Sequence, residues 1–115
     1  ECGVHQNYKN KVLKANDIAT MSTGKRLGHP VRSIKNPYTK EYFKLEYSNI
    51  SDEELEAYGR GALSRAAVEA DEKTGCFLAG QIAGMVNKEQ TAKEIIEEIF
   101  TQAEDVLKGA TKWVK

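Results

Sequence analysis

The clearest hydrophobic pattern in the chain lies near its end. Ala92, Ile95, Ile96, Ile99, Phe100, Ala103, Val106 and Leu107 recur at steps of three and four, opposite Lys93, Glu94, Glu97, Glu98, Gln102 and Glu104. That spacing predicts one long amphipathic helix. Asn87-Lys88-Glu89-Gln90 reads as its capping box and Gly109 as its terminator. A second helical pattern, opened by the capping box Ser51-Asp52-Glu53-Glu54, runs through Leu55, Tyr58, Ala62, Leu63, Ala66 and Ala67 to about Ala70. Gly59 and Gly61 interrupt it, and each costs about 1 kcal/mol against Ala unless a close neighbour requires it. Asn36-Pro37 marks a third helix start, followed by Tyr38, Tyr42, Phe43 and Tyr47, an aromatic stripe read as core. His5–Ala15 predicts a short N-terminal helix, with His5 as a cap or packing residue.

Strand signals are fewer. Asp17–Thr23 has strand-like composition and stops at Gly24, and Val31–Lys35 fits either a strand or a helical turn. Cys76-Phe77-Leu78 is a short apolar run after Gly75, too short for a helix, and predicts a strand. It opens into Ala79-Gly80-Gln81-Ile82-Ala83-Gly84, expected to begin a glycine-containing helix. Gly80 and Gly84 would share a face there, open to another backbone or a flat ligand, with Gln81 the one polar side chain in reach. The alternative is tight helix packing with Gln81 in solvent. The fold class that follows is α+β: a helix-rich small domain with a short antiparallel sheet.

The length of 115 residues suits one domain. Hydrophobic content of 40% and charged content of 30% suit a globular protein. No apolar run is long enough for a membrane span, and no signal peptide is evident. The chain begins at Glu1 rather than Met and is expected to be a processed or partial product. Cys2 and Cys76 are expected to be free thiols in a reducing cytoplasm. The formal charge is zero but uneven: residues 1–44 carry nine Lys or Arg against three acids, and residues 45–115 eight against fourteen. Arg26, Arg32 and Lys35 lie in the most basic segment and are candidates for a phosphate or an acidic-protein contact. The sequence holds no catalytic constellation, no metal-ligand spacing, no phosphate-binding loop and no nucleic-acid motif.

Four stretches carry a family resemblance. They are Glu1-Cys2-Gly3-Val4-His5-Gln6-Asn7-Tyr8-Lys9; Gly28-His29-Pro30-Val31-Arg32 with Lys35-Asn36; Gly59-Arg60-Gly61-Ala62-Leu63; and Ala79-Gly80-Gln81-Ile82-Ala83-Gly84 running on into a Glu-rich helix. In this order and spacing the chain resembles the C-terminal third of the flavin-dependent enoyl-acyl-carrier-protein reductases of bacterial type II fatty-acid synthesis. That family also includes the nitronate monooxygenases. Cys2 stands where the family often has Ser. The resemblance implies a parent enzyme built on an FMN-binding β/α barrel, using NAD(P)H to reduce a trans-2 double bond on an acyl-carrier-protein-linked substrate.

In this reading residues 1–86 are the small inserted domain, and residues 87–115 are the final helix of a barrel these residues do not include. Ala79, Gly80 and Gln81 are implied flavin or substrate neighbours, with Leu78 lining the substrate pocket and no catalytic residue in the chain. The chain alone is expected to bind no FMN, to be inactive, and to self-associate or dimerise through its last helix. The rival expectations are nitronate oxidation and a stand-alone binding or oligomerisation module.

Overall fold

A computed structural model describes residues 2–113; Glu1, Val114 and Lys115 lie outside it. The chain divides into two compact units, one over Gly3–Asn87 and one comprising Cys2 and the residues from Lys88 on. The first holds helix α1 (Gln6–Leu13), strands β1 (Thr20–Thr23) and β2 (Val31–Ile34), helices α2 (Pro37–Glu46), α3 (Asp52–Gly59) and α4 (Ala62–Ala67), and a 3-10 helix over Gln81–Met85. The second holds helix α5 (Ala92–Ala110) and a 3-10 turn, Thr111–Trp113. The α+β class expected from the sequence is the class observed.

β1 and β2 pair antiparallel, Thr20 opposite Ile34 and Thr23 opposite Val31, which resolves residues 31–34 as a strand. The far edge of β2 takes a third extended segment. Ile34 N–H donates to Phe77 O at 2.8 Å, Ala79 N–H donates to Arg32 O at 3.1 Å, and Ser33 bridges Leu78 antiparallel. Cys76–Leu78 therefore behaves as the strand its apolar run predicts. The turn that delivers it is built locally: Asp71 Oδ1 accepts from the N–H groups of Lys73 and Thr74. Gly75 follows, with its N–H on Asp71 O at 2.9 Å. A Cβ on Gly75 would lie 2.5 Å from Asp71 O and 2.9 Å from Ala66 Cα, so no other residue fits without moving backbone.

Asn36 joins this turn to α2. Its Oδ1 accepts from Thr39 N–H and its Nδ2 donates to Gly75 O at 2.7 Å, so one buried amide both caps a helix and holds the strand entry. Phe77, fully buried, then packs with Ile34 and Ala66, and Tyr8 of α1 tilts against its ring at 5.0 Å. A second cluster gathers Tyr38, Tyr42, Leu55, Ala62 and Cys76.

Several expectations need correction. The helix expected over residues 51–70 breaks at Arg60-Gly61: Arg60 turns extended after α3, and Gly61, with φ of +75°, precedes α4. Gly59 is not required by close approach: a Cβ there would make an ordinary contact with the Tyr42 ring at 3.5 Å. The aromatic stripe of α2 is only half core, since Tyr38 and Tyr42 are buried while Phe43 and Tyr47 are exposed and pair with each other at 4.9 Å. The capping box of α5 is Thr91 with Glu94, not Asn87 with Gln90. Lys88 and Gln90 instead bond the Glu98 carboxylate one helical level on. Gly109 does not end α5, which continues to Ala110. Residues 79–84 begin extended and then turn once as a 3-10 helix rather than an α-helix. There Gly84, not Gly80, makes the close backbone approach: its Cβ position is 2.7 Å from the carbonyl carbon of Asn16.

A paired substitution checks the strand entry. Gly75→Ala should destabilise the protein by about 2 kcal/mol or more in chemical unfolding, because added volume meets backbone on two sides. Gly80→Ala should stay within about 0.5 kcal/mol, since nothing lies within 4 Å of its Cβ position.

Candidate functional site

The segment Leu78–Gln81 leaves the core as a strand edge and is fixed from both sides. Tyr8 Oη donates to Leu78 O at 2.6 Å, and Ala79 N–H is taken by β2. What it then presents is mostly main chain. Gly80 and Gln81 are exposed, and the N–H groups of Gln81 and Ile82 precede the first 3-10 bond, from Ala83 N–H to Gly80 O. The Gln81 side chain makes no hydrogen bond among the described residues. A donor–acceptor amide and free backbone donors beside a glycine suit the polar edge of a flat heterocycle or a carbonyl.

Beside this edge lies a pocket of about 190 Å³ between the β1–β2 loop and helices α2–α4. Leu78 lines it, with Thr23, Gly24, His29, Val31, Tyr38, Tyr42, Gly59, Ala62, Leu63 and Cys76. The structure thus brings Leu78 to a pocket, while Ala79, Gly80 and Gln81 are not among the residues lining it. Burial pushes the Tyr38 phenol well above its ordinary value, and it pushes Tyr42 and the Cys76 thiol up as well, so all three are neutral near pH 7. Ser33 Oγ, completely buried beneath β2, lacks a well-formed hydrogen bond among the described residues. The nearby Cys76 thiol offers it only a weak contact.

Each basic candidate makes at least one bond within the chain. Arg26 donates through Nη1 to Ser48 O and through Nη2 to Ile50 O at 2.6 Å, and its Nε pairs with Asp52 at 2.8 Å. It ties the α2–α3 connection and is not free for a phosphate. Arg32 donates to Thr20 Oγ1, and Lys35 Nζ to Ile18 O at 2.6 Å. These two remain near β1, away from the residues Arg26 holds.

Sequence reasoning missed the partner of that basic loop. Glu46, buried at the end of α2, accepts from Gly24 N–H at 3.2 Å and from Arg26 N–H at 2.8 Å, and so sets the loop that carries His29 to the pocket. A carboxylate at the end of a helix, where the dipole disfavours it, was the available signal. No cluster of His, Cys, Asp or Glu able to hold a metal occurs among the described residues. No helix among them is long and apolar enough to cross a membrane.

A family model for nitronate monooxygenase matches residues 1–102. The chain belongs to the nitronate monooxygenase family. Among solved structures it is similar to FabK from Thermotoga maritima, at 33% identity and a TM-score of 0.90, over 96% of this chain and 35% of that one. A methionine-to-alanine variant of the same FabK matches at 30% identity and a TM-score of 0.78, over 96% of this chain and 32% of that one. The chain therefore spans about a third of the structures it matches. A search of curated proteins gave no match. The resemblance drawn from the four sequence stretches is the family that these comparisons show, an oxidoreductase family.

The state of Cys76 is directly measurable. Because burial raises its pKa, the thiolate fraction at neutral pH is small. Its alkylation should be much slower than that of exposed Cys2. It should keep rising at a pH where an ordinary thiol has levelled off, as peptide mass spectrometry of iodoacetamide-treated protein will show.

Proposed function

We propose that these residues are the small domain and last helix of an FMN-dependent enoyl-acyl-carrier-protein reductase, with Leu78–Gln81 facing the flavin and the substrate thioester. The observation that carries the reading is the match to FabK over 96% of the chain at a TM-score of 0.90. It is joined by a backbone edge at Gly80 and Gln81 that fits one side of a flat polar ring. Bound FMN would relay a hydride from NAD(P)H to the double bond. The chain's own part is to bind and orient. Gln81 offers an amide donor and acceptor, Gly80 leaves room for a plane to approach, and Leu78 covers an apolar part of the substrate. No group in this chain is assigned a proton transfer.

The reading also accounts for α5. Ile96, Ile99, Phe100, Val106 and Leu107 are exposed, and nothing within their own unit covers them. A stripe of this length is a docking face. We assign it to the barrel of the parent enzyme, with self-association expected only when that barrel is absent. We place the phosphate or acyl-carrier-protein contact at Arg32 and Lys35, since Arg26 is engaged internally. The parent is expected to work in the cytoplasm.

Nitronate oxidation is the second reading, favoured by the family model over residues 1–102. Purified full-length protein should oxidise NAD(P)H with a trans-2-enoyl thioester and show at most weak oxidation of an alkyl nitronate; the reverse order of activities establishes the second reading instead. Gln81→Ala in the same protein should lower turnover or flavin affinity by about tenfold, the effect of about 1.4 kcal/mol. Both quantities unchanged would take Gln81 out of the site.

A further inference from the structure

The pocket beside Leu78 has a size and a lining that select its occupant. Pockets that hold a whole small ligand run to roughly 300–1,000 Å³. This one, at about 190 Å³, holds an end of a molecule rather than all of it. None of its lining residues is Lys, Arg, Asp or Glu. A carboxylate or phosphate placed there would lose water and meet no fixed cation, with His29 and Thr23 the lining's polar groups besides the tyrosine hydroxyls. Most of its walls are apolar: Val31, Ala62, Leu63 and Leu78, the Tyr38 and Tyr42 rings and the Cys76 thiol, with Thr23 and His29 beside them. Leu78 is 38% exposed, Val31 40% and Leu63 54%, so all three stand at the rim rather than the floor. Leu78 is also the first residue of the edge that continues to Gln81. A chain whose reactive end lies against that edge has the pocket next to it along the backbone.

We infer that this pocket receives the distal hydrocarbon of the acyl substrate, entering past Leu78, and that Leu63 and Val31 at its rim set chain-length preference. The assignment rests on the reductase reading. Each methylene buried there should raise affinity roughly fourfold until the pocket is full.

The test uses the full-length protein and two independent readouts. The first is the ratio of kcat/KM for trans-2-octenoyl to trans-2-butenoyl N-acetylcysteamine thioester. The wild type should favour the longer chain by at least tenfold. Leu63→Trp, and separately Val31→Trp, should reduce that ratio at least tenfold by filling the rim. The second readout needs no turnover: octanoyl-N-acetylcysteamine should slow iodoacetamide labelling of Cys76, followed on its own peptide, at least fivefold in the wild type and not in Leu63→Trp. A Cys76 rate indifferent to the octanoyl thioester overturns the pocket assignment whatever the activity. A chain-length ratio that neither substitution moves does the same. Loss of turnover on every enoyl thioester with Cys76 still protected would overturn the reductase reading and leave an apolar-ligand pocket.

Discussion

The close approach at Gly75 is the constraint on which the first unit depends. Only a residue without a side chain can pass between Asp71 O and the backbone of Ala66, and that passage places Cys76–Ala79 against β2. From it follow the Cys76 N–H bond to Ala62 O at 2.8 Å, the burial of Phe77, and the grip of Tyr8 on Leu78 O. Fully burying a side chain such as Phe77 contributes about 1.5–3 kcal/mol. Its larger effect here is geometric, because it fixes the residues on either side. Asn36 adds the polar half of the same joint by bonding Gly75 O while capping α2.

The arrangement gives the candidate site a particular character. Leu78–Gln81 is positioned by the Tyr8 hydroxyl on Leu78 O and by Ala79 N–H on Arg32 O, while Gly80 and Gln81 stay exposed. The pocket next to it is set by a different device, a buried carboxylate. Glu46 binds two loop amides, and Arg26 in turn binds the carbonyls that follow α2. A charge-assisted bond to backbone N–H is among the stronger available at a loop. Together they hold the β1–β2 loop over the aromatic cluster without a disulfide or metal among the described residues.

Local features of this fold were legible in the sequence. Asn36-Pro37 and Ser51-Asp52-Glu53-Glu54 cap the helices they were expected to cap, because a cap needs only residues a few positions apart. The stripe of α5 follows from its period alone. Local pattern misplaces the α5 cap by one turn: Asn87-Lys88-Glu89-Gln90 reads as the box, and Thr91 with Glu94 forms it. Lys88 and Gln90, inside that pattern, bond Glu98 instead, a contact eight or more positions along that no capping rule foresees. The break at Arg60-Gly61 was hidden because a positive φ leaves no periodic trace, and Ala62, Leu63, Ala66 and Ala67 continued the pattern begun by Leu55 and Tyr58. The pocket and the Glu46–loop bonds join residues 20 or more positions apart, and no spacing rule reaches that far. The four stretches of family resemblance supplied what periodicity lacked, and the family comparison bears them out.

The most direct measurement is amide hydrogen exchange at Gly80, Gln81 and Ile82 in the full-length protein, with and without FMN. Exposed amides ahead of the first 3-10 bond exchange quickly when free. If this edge faces the flavin, their exchange slows at least tenfold when FMN is bound, while the amides of α1 stay unchanged. Equal exchange at these three positions in the two states would contradict the account.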